Sequence, residues 1–326
     1  HLGGLLDSPP RPFGHSPGPA GTKTRWALEF PPQRAGACEL RYEGRRMRAR
    51  IFALTVVVLL TACGSTTTTP PAGTAKVSPP PNTELFSADT LTVGSDVSYP
   101  PQEFYPVGST TADGFDIDIG KALANAMGLK FAVVDTPFTG IIPALNSKKF
   151  DIMISAMTIS DDRKTKVDFI PYFVAGESFV VAKSSSLNLT KLSDLCGHKV
   201  AAESGTAALD EANGLNTAGA PCAGNKVVVT TFQKDTEALT ELKKGNVEIH
   251  FTDSPVAAYE VQKDAGNLKI SGGIIEVAPE GIAMRKNDAA LSGPVIAAFN
   301  QIKSDGTYAS ILAKWNVSDG DIKNAS

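Results

Sequence analysis

Three short polar segments of this chain each follow a predicted strand and precede a predicted helix. They occupy residues 155–163, 203–207 and 252–254. Ligands of open α/β sheets bind beyond the carboxyl ends of the strands, close to helix N-termini. We therefore expect the three segments to line one binding site.

The side chains in these segments suit a small zwitterion. The guanidinium of Arg163 can hold a carboxylate through two hydrogen bonds, and the Thr158 hydroxyl and the backbone of Ala156 can add others. The turn at 204–206 leads into a helix N-terminus, which also favours an anion. Asp253 can hold an ammonium group. Donors for a carboxylate together with an acid for an amine predict recognition of an α-amino acid head group.

The same residues also have ordinary structural uses, and the sequence alone leaves these open. Arg163 could be a surface residue of a short helix, paired with Asp161 or Asp162. Asp253 could serve only as the N-cap of the helix that follows it.

The elements that position these groups alternate between strand and helix patterns. β-branched and apolar runs predict strands at 90–93, 131–134, 150–154, 179–182, 200–202, 227–230, 247–251 and 282–285. Helices are predicted at 116–127, from the N-caps Thr139, Ser160 and Thr206, at 236–244 and 254–263, and twice more near the C-terminus. The alternation predicts an α/β fold with a mostly parallel sheet, in two lobes with a cleft between them.

Composition excludes several classes of function. Of 326 residues, 31 are Lys or Arg and 34 are Asp or Glu, so the net charge of −3 offers no basic stripe for nucleic acid. Four histidines without a Cys-x-x-Cys spacing argue against a zinc site. No phosphate-binding, dinucleotide-binding or hydrolase motif occurs, so we expect no cofactor and no metal.

The segment from Met47 to Cys63 predicts export. Two arginines and an apolar run at 51–60 precede Leu-Thr-Ala-Cys at 60–63. The run is too short for a hydrocarbon core, which needs about 20 residues. We predict a lipoprotein signal peptide at 47–62 and lipid modification of Cys63, which would anchor the protein to the outer face of the cell membrane.

Two further segments are predicted to lie outside the folded part. Residues 1–46 are rich in Pro, Gly and Arg and precede Met47, the most natural initiator, so we interpret them as non-native upstream sequence. Residues 63–84 carry Thr and Pro runs with almost nothing to bury, and we predict a disordered tether.

Two cysteines remain for the folded region. Cys196 and Cys222 lie in a chain predicted to enter an oxidising compartment, and we expect them to form a disulfide worth about 3 kcal/mol. The alternative is a pair of free buried thiols.

Four motifs in order resemble the bacterial extracellular solute-binding proteins of family 3, the amino-acid-capturing subunits of ABC importers. They are GFDID at 114–118, IPAL at 142–145, TISDDR at 158–163 and DGTY at 305–308, and the likeness extends over 85–317. It implies a type II periplasmic-binding-protein-like fold with two crossing hinge strands, near 175–177 and 278–281. It places lobe 1 at 85–175 plus 282–326 and lobe 2 at 176–281.

Carried over position by position, the resemblance implies a head-group site. Arg163 and the Thr206 region would bind the α-carboxylate, and Asp253 the α-ammonium. Further contacts are implied for the backbone of Ala156, Met157, Gly205 and Ala207 and for the Thr158 hydroxyl.

The resemblance also implies a side-chain site. Tyr99 and Phe138 would flank the ligand side chain, although both could be core aromatics. Asp96 matches an acid that contacts a polar or basic tip. Glu203 stands where several relatives carry a neutral residue, which leaves specificity open between polar and basic amino acids.

The function expected on these grounds is binding of an L-amino acid and delivery to an importer through closure of the cleft. Its partners would be the ABC membrane and ATPase subunits, and we expect a monomer with an affinity near micromolar, about −8 kcal/mol. The runner-up is a periplasmic dehydratase on the same fold with Glu203 as the acid. A third hypothesis, a sensor domain feeding a kinase or channel, is not favoured, because the sequence offers neither a membrane span nor a second module for it.

Overall fold

The computed structural model describes residues 76–324. The segments 1–46 and 47–62 and the lipidation residue Cys63 lie outside the described residues. The strands are β1 Thr90–Ser95, β2 Ser98–Tyr99, β3 Glu103–Phe104, β4 Lys130–Asp135, β5 Ile152–Met153, β6 Val167–Ala182, β7 Lys199–Glu203, β8 Val228–Phe232, β9 Ile249–Asp253 and β10 Leu268–Arg285. The helices are α1 Phe115–Ala126, α2 Phe138–Asn146, α3 Asp161–Lys166, α4 Ala207–Gly214, α5 Asp235–Lys243, α6 Ser254–Lys263, α7 Ala289–Ser304 and α8 Thr307–Lys314.

One eight-stranded mixed sheet carries both lobes, in the order β4-β1-β5-β10-β6-β9-β7-β8. Three strands at each end are mutually parallel, and β6 and β10 run antiparallel to each other through the middle. The predicted α/β class is confirmed. The short strands predicted at 179–182 and 282–285 are wrong in extent, because each is one end of a strand of 16 or 18 residues.

Separate apolar cores define the two lobes. In lobe 1, α1, α7 and α8 pack on the sheet around Leu91, Phe115 and Phe299. In lobe 2, α4 and α5 cover a core that includes Val200, Phe251 and Leu239. The two long strands connect these cores, and the predicted lobe boundaries at 175/176 and 281/282 fall within β6 and β10.

Local signals fixed most helix starts. Ser160 and Thr206 cap α3 and α4, since their hydroxyls accept from the Arg163 N–H at 3.3 Å and the Leu209 N–H at 3.2 Å. The prediction of Thr139 as an N-cap is wrong, because α2 already begins at Phe138 and its N-cap is Pro137. The predicted N-cap therefore lies two residues after the observed one, a difference that is common at helix boundaries.

Residues 76–84, the end of the predicted tether, pack against the folded part. Residues 76–84 were predicted to be disordered, but the Val77 N–H donates to the Ala126 carbonyl at 3.1 Å and Pro80 is buried. A short 3-10 helix covers Asn82–Glu84, and Glu84 pairs with Lys148. Residues 76–84 contain too few apolar residues for the sequence to predict that they pack. Their packing depends on the neighbouring surface of α1, which exists only in the folded chain.

The predicted disulfide is confirmed. Cys196 and Cys222 are bonded with their Cα atoms 5.1 Å apart, and Cys222 belongs to the core of lobe 2. The bridge closes the loop that carries β7 and α4, so it fixes the wall that holds Glu203. Within 76–324, every helix is too short or too polar to cross a bilayer.

Candidate functional site

A cavity lies between the two lobes, beyond the carboxyl ends of the strands. Ten of the twelve predicted binding residues line it, together with Glu103 and Ser155, which sequence reasoning missed. Its lining comprises Asp96, Tyr99, Glu103, Phe138, Ser155, Ala156, Thr158, Arg163, Glu203, Thr206, Ala207 and Asp253.

Arg163 enters the cavity from α3 in lobe 1. Its Nη1 donates to the Thr158 carbonyl at 2.7 Å and its Nη2 to the Gly205 carbonyl of lobe 2 at 2.9 Å. The Phe138 ring lies 5.5 Å from the guanidinium carbon, close enough for a cation–π contact. Burial lowers the pKa of Arg163, and nearby carboxylates oppose that shift.

The alternative role for Arg163 is wrong. Asp161 pairs with Lys164 at 3.1 Å and Asp162 with Lys166 at 2.6 Å, so both acids have lysine partners on the exposed face of α3. Arg163 is 9% exposed and points the other way, into the cleft. Its position on the helix therefore serves the cavity.

Asp253 enters the cavity from lobe 2, at the end of β9. It occupies the N-cap position of α6, yet its side chain makes no capping hydrogen bond, so the purely structural alternative is wrong. Burial raises its pKa to about 7, and hydrogen bonds from Tyr99 and Glu177 work against the shift. A buried carboxylate with so few protein donors is suited to an incoming ammonium group.

Tyr99 connects the two walls. Its hydroxyl lies 3.0 Å from the Thr252 hydroxyl and accepts the Asp253 backbone N–H at 3.2 Å. The ring packs between Ala156 of lobe 1 and Val256 of lobe 2. Tyr99 thus belongs to the cleft and not to the core of either lobe.

The turn after β5 presents the backbone of the lobe 1 wall. Ala156 has φ +44°, a left-handed conformation that costs a non-glycine residue about 1 kcal/mol or more. Its N–H donates to Asp116 at 3.0 Å, and this buried bond holds the turn in place. Ser155 precedes it and donates to Glu103 at 2.8 Å.

The two missed residues differ in how visible they were. Ser155 lies within the predicted segment 155–163 and could have been named from its place at the strand end. Glu103 is the first residue of β3, in the small hairpin of β2 and β3, and no pattern in the sequence marks it. Burial raises its pKa well above the usual value, and the neighbouring Asp116 adds to the shift.

Two predicted residues do not line the cavity. Met157 is 1% exposed and packs in a lobe 1 core with Ile141 and Phe150, while its carbonyl accepts from Gly281 at 2.9 Å. Gly205 has φ +84°, and a Cβ there would approach Thr139 at 3.2 Å, so only glycine suits this close contact between lobes.

The Thr206 hydroxyl is already engaged. It donates to the Glu203 carbonyl at 2.8 Å and accepts from Leu209 as the cap of α4. What remains at this wall for an anion is the backbone at the start of α4, including the amide of Ala207.

Two carboxyl groups face each other at the other end of the cavity. Asp96 of lobe 1 accepts from the Ser98 hydroxyl at 2.7 Å and the Phe138 N–H at 2.8 Å. Glu203 of lobe 2 is 3% exposed, and its Oε1 has no hydrogen-bond partner among residues 76–324. Burial, with the charges of Asp235 and Asp96, raises the pKa of Glu203 to about 10. This end of the cavity favours a hydrogen-bond donor or a cation.

The charged side chains that line the cavity are mostly acidic. It carries four carboxyl groups and one guanidinium, so an anionic ligand group has a single charged partner, Arg163. Across residues 76–324, no group of three or more His, Cys, Asp or Glu side chains is arranged to hold a metal ion.

Comparison with known proteins agrees with this geometry. The sequence profile of the bacterial extracellular solute-binding proteins, family 3, matches residues 91–318. The L-cystine-binding protein TcyJ of Escherichia coli K12 is 31% identical, covering 69% of this chain and 82% of its own. An L-arginine-binding protein of Pseudomonas aeruginosa is 33% identical, covering 71% and 89%.

Solved structures show the same two-lobed architecture. An ancestral arginine-binding protein bound to arginine is similar with a TM-score of 0.64 and 38% identity. The match covers 70% of this chain and 98% of the ancestral one. The resemblance therefore includes both lobes and the strands between them.

Proposed function

This chain belongs to the bacterial extracellular solute-binding proteins, family 3, and on that premise we propose that it binds an L-amino acid and delivers it to an ABC importer. The observation that carries the proposal is that Arg163 and Asp253 reach one cavity from opposite lobes. Arg163 binds the α-carboxylate together with the backbone at the start of α4. Asp253 binds the α-ammonium, and Thr158 and Ala156 add hydrogen bonds.

Division of the zwitterion between the lobes explains how binding closes the cleft. A ligand held by only one lobe has no differential affinity for the closed arrangement and cannot shift it. Here Arg163 of lobe 1 and the start of α4 of lobe 2 hold the carboxylate, and Asp253 of lobe 2 holds the ammonium. Three or four charge-assisted contacts, less the ordering costs, correspond to an affinity near micromolar, about −8 kcal/mol.

The favoured ligand has a basic or polar side chain. Asp96 and Glu203 face the end of the cavity away from the head group, and Tyr99 and Phe138 flank the path to them. A cationic tip would pair with the Asp96 carboxylate and favour ionisation of Glu203, whose pKa burial raises to about 10. Two of the relatives described above are named for binding arginine and cystine, both of which carry donors beyond the head group.

The family and the N-terminal sequence both support a location outside the cytoplasm. The protein works outside the cytoplasm as a monomer, and the lipid on Cys63 holds it at the membrane surface beside the importer subunits. The Thr/Pro composition after Cys63 is typical of a linker.

A thermal-shift screen of the twenty proteinogenic amino acids tests the proposal. A ligand at one hundred times its dissociation constant stabilises by about 2.7 kcal/mol, which raises the unfolding midpoint by roughly 5–10 °C. We expect the largest shifts from basic and polar L-amino acids and none from their D-enantiomers. A flat response to all twenty would refute amino acid binding.

The dehydratase alternative has a separate test. The relatives reported above are named as binding proteins, and nothing in the cavity pairs Glu203 with a base positioned for elimination. We expect no absorbance from phenylpyruvate when the protein is incubated with prephenate. Steady turnover would reverse the assignment.

A further inference from the structure

Glu177 is the buried acid that the proposed head-group site leaves unexplained. It lies on β6 near the hinge, and the strand register places it directly opposite Asp253 on β9. Glu177 is 3% exposed and Asp253 9%. Side chains at such facing positions have their Cβ atoms about 4.5–5.5 Å apart, and two like charges there repel.

Few groups around the pair can neutralise two negative charges. Arg163 is the cation that acts on both acids. Other acids face the pair from the neighbouring elements: Glu211 from α4, Glu280 from β10 and Asp235 from α5. The Tyr99 hydroxyl approaches from lobe 1 and hydrogen-bonds to Asp253.

A side cavity continues from the head-group site behind this pair. It shares Thr158, Ala207 and Asp253 with the main cavity, and Glu211, Glu276 and Glu280 lie along it with Glu177. The described residues that line it include no Lys, Arg or His. Oε2 of Glu177 has no hydrogen-bond partner within 76–324, although the side chain is almost fully buried. The region is therefore short of donors and of positive charge.

We propose that Glu177 is the second acid of the ammonium site, that it shares a proton with Asp253 before an amino acid arrives, and that capture of the α-ammonium releases this proton to solvent. The inference rests on the proposed function. It assigns a role in binding to a residue that the family resemblance did not include.

The exchange balances in charge and in hydrogen bonds. Before capture, the pair holds one proton and carries a charge of −1. When the ammonium enters, the Glu177 O–H bond ionises, the proton passes to water, and the pair becomes −2 beside a ligand group of +1. N–H donors of the ammonium replace the lost O–H donor to Asp253 and reach the unpartnered oxygen of Glu177. No covalent bond of the ligand changes.

The titration behaviour agrees with shared protonation. Burial, with the charge of Asp253 next in size, raises the pKa of Glu177 well above its usual value. Burial raises the pKa of Asp253 to about 7. Because the ligand favours the ionised pair, affinity increases with pH while the pair still holds its proton, by at most about tenfold per pH unit. Above the pKa of the pair, the increase levels off.

Calorimetric titration of the full chain with L-arginine in phosphate and in Tris at pH 7 measures the proton release directly. The two buffers differ in ionisation enthalpy, so the difference in observed heat gives the number of protons exchanged. We expect a release of up to about one proton more from the wild type than from Glu177→Gln, since the amide has no proton to lose. Any proton released at Glu203 is common to both proteins and cancels.

A pH profile and two further variants separate this role from a structural one. From pH 6 to 8, the affinity of the wild type should rise several-fold, and that of Glu177→Gln should rise less, because only Asp253 then titrates at the ammonium site. Glu177→Asp should restore part of the proton release. Glu260→Gln is the matched control, because burial also raises the pKa of Glu260 on α6 but this residue lies outside both cavities, and its proton count should equal that of the wild type.

The possible outcomes decide the question. Equal proton release by the wild type and Glu177→Gln, or none by the wild type, would overturn the role of Glu177 and leave amino acid binding intact. If Glu177→Gln does not fold, the wild-type count and the Glu177→Asp profile still decide. Failure of every amino acid to bind would refute the proposed function first, and the thermal-shift screen detects that independently.

Discussion

Each lobe contains a buried Asp–Glu pair with a tyrosine beside it, and the two pairs have different surroundings. In lobe 1, Asp116 accepts from Tyr172 at 2.7 Å and from the Ala156 N–H at 3.0 Å, and it hydrogen-bonds to Glu103. In lobe 2, Asp253 has hydrogen bonds from Tyr99 and Glu177. Burial raises both aspartate pKa values, to about 6 and about 7.

The difference lies in where the remaining donors come from. Asp116 lies inside lobe 1, and protein groups satisfy both of its oxygens. Asp253 lines the cavity, so part of its hydrogen-bonding capacity is available to a ligand. Burial of Asp116 thus stabilises the fold of lobe 1, whereas the buried Asp253 is available for ligand recognition. Four experiments test this contrast.

Removing Asp253 should mainly weaken binding, whereas removing Asp116 should mainly lower stability. Asp253→Ala should lower amino acid affinity by about a hundredfold or more, because the buried ammonium loses its charged partner. Asp116→Ala should lower the unfolding midpoint by roughly 5–10 °C, because the Tyr172 hydroxyl and the Ala156 N–H lose their acceptor. Calorimetry and thermal unfolding of both variants measure these effects. Affinity retained within about threefold in Asp253→Ala would refute the head-group assignment.

The two buried arginines extend the contrast to positive charge. Arg163→Lys should weaken binding by about tenfold, since an ammonium cannot reproduce the two-pronged contact with a carboxylate. Arg285, which bonds the Phe150 and Asp151 carbonyls in lobe 1, is the matched residue. Arg285→Lys should lower stability and leave affinity close to that of the wild type. Equal losses of affinity in both would place the carboxylate elsewhere.

The side-chain end of the cavity should discriminate between ligands. Asp96→Asn keeps an acceptor for the Phe138 N–H but removes the charge, so affinity for L-arginine should fall by several-fold, by about 1 kcal/mol. Affinity for L-glutamine should change much less. Competition titrations of both amino acids measure the ratio, and an unchanged ratio would mean that Asp96 does not contact the side-chain tip.

The smallest effect is the dependence of stability on pH. Carboxyl groups whose folded pKa is raised stabilise the folded state below the unfolded pKa, and this contribution is lost as pH rises through the folded value. The unfolding midpoint without amino acid should therefore fall between pH 5 and 8. Asp116→Asn should remove part of the fall below about pH 6, and Asp253→Asn part of the fall that continues to about pH 7. A midpoint that rises over this range would contradict both assignments.

Much of the fold was predictable, because its signals are local. The caps Ser160 and Thr206 fixed the starts of α3 and α4, and α6 was predicted with its observed bounds, 254–263. The long strands β6 and β10 were recognised only at their lobe ends. Their middle parts cross between lobes, where β6 is buried almost continuously and β10 is largely exposed, so neither shows the alternation of buried and exposed residues that makes a strand pattern visible.

The sequence by itself determined the α/β class and the disulfide pair, because strand ends, helix caps and residue chemistry are read within a few positions. Together with the family resemblance, which supplied Asp96, Tyr99 and Phe138, it named ten of the residues that line the cavity. Only the tertiary structure decided that Glu103 and Glu177 belong to the neighbourhood of the ligand. Their positions depend on which strands lie side by side, and that pairing joins residues 76 apart, as it does Glu177 and Asp253. Proximity across a sheet is a property of the folded chain, and so are the shared protons and raised pKa values that come with it.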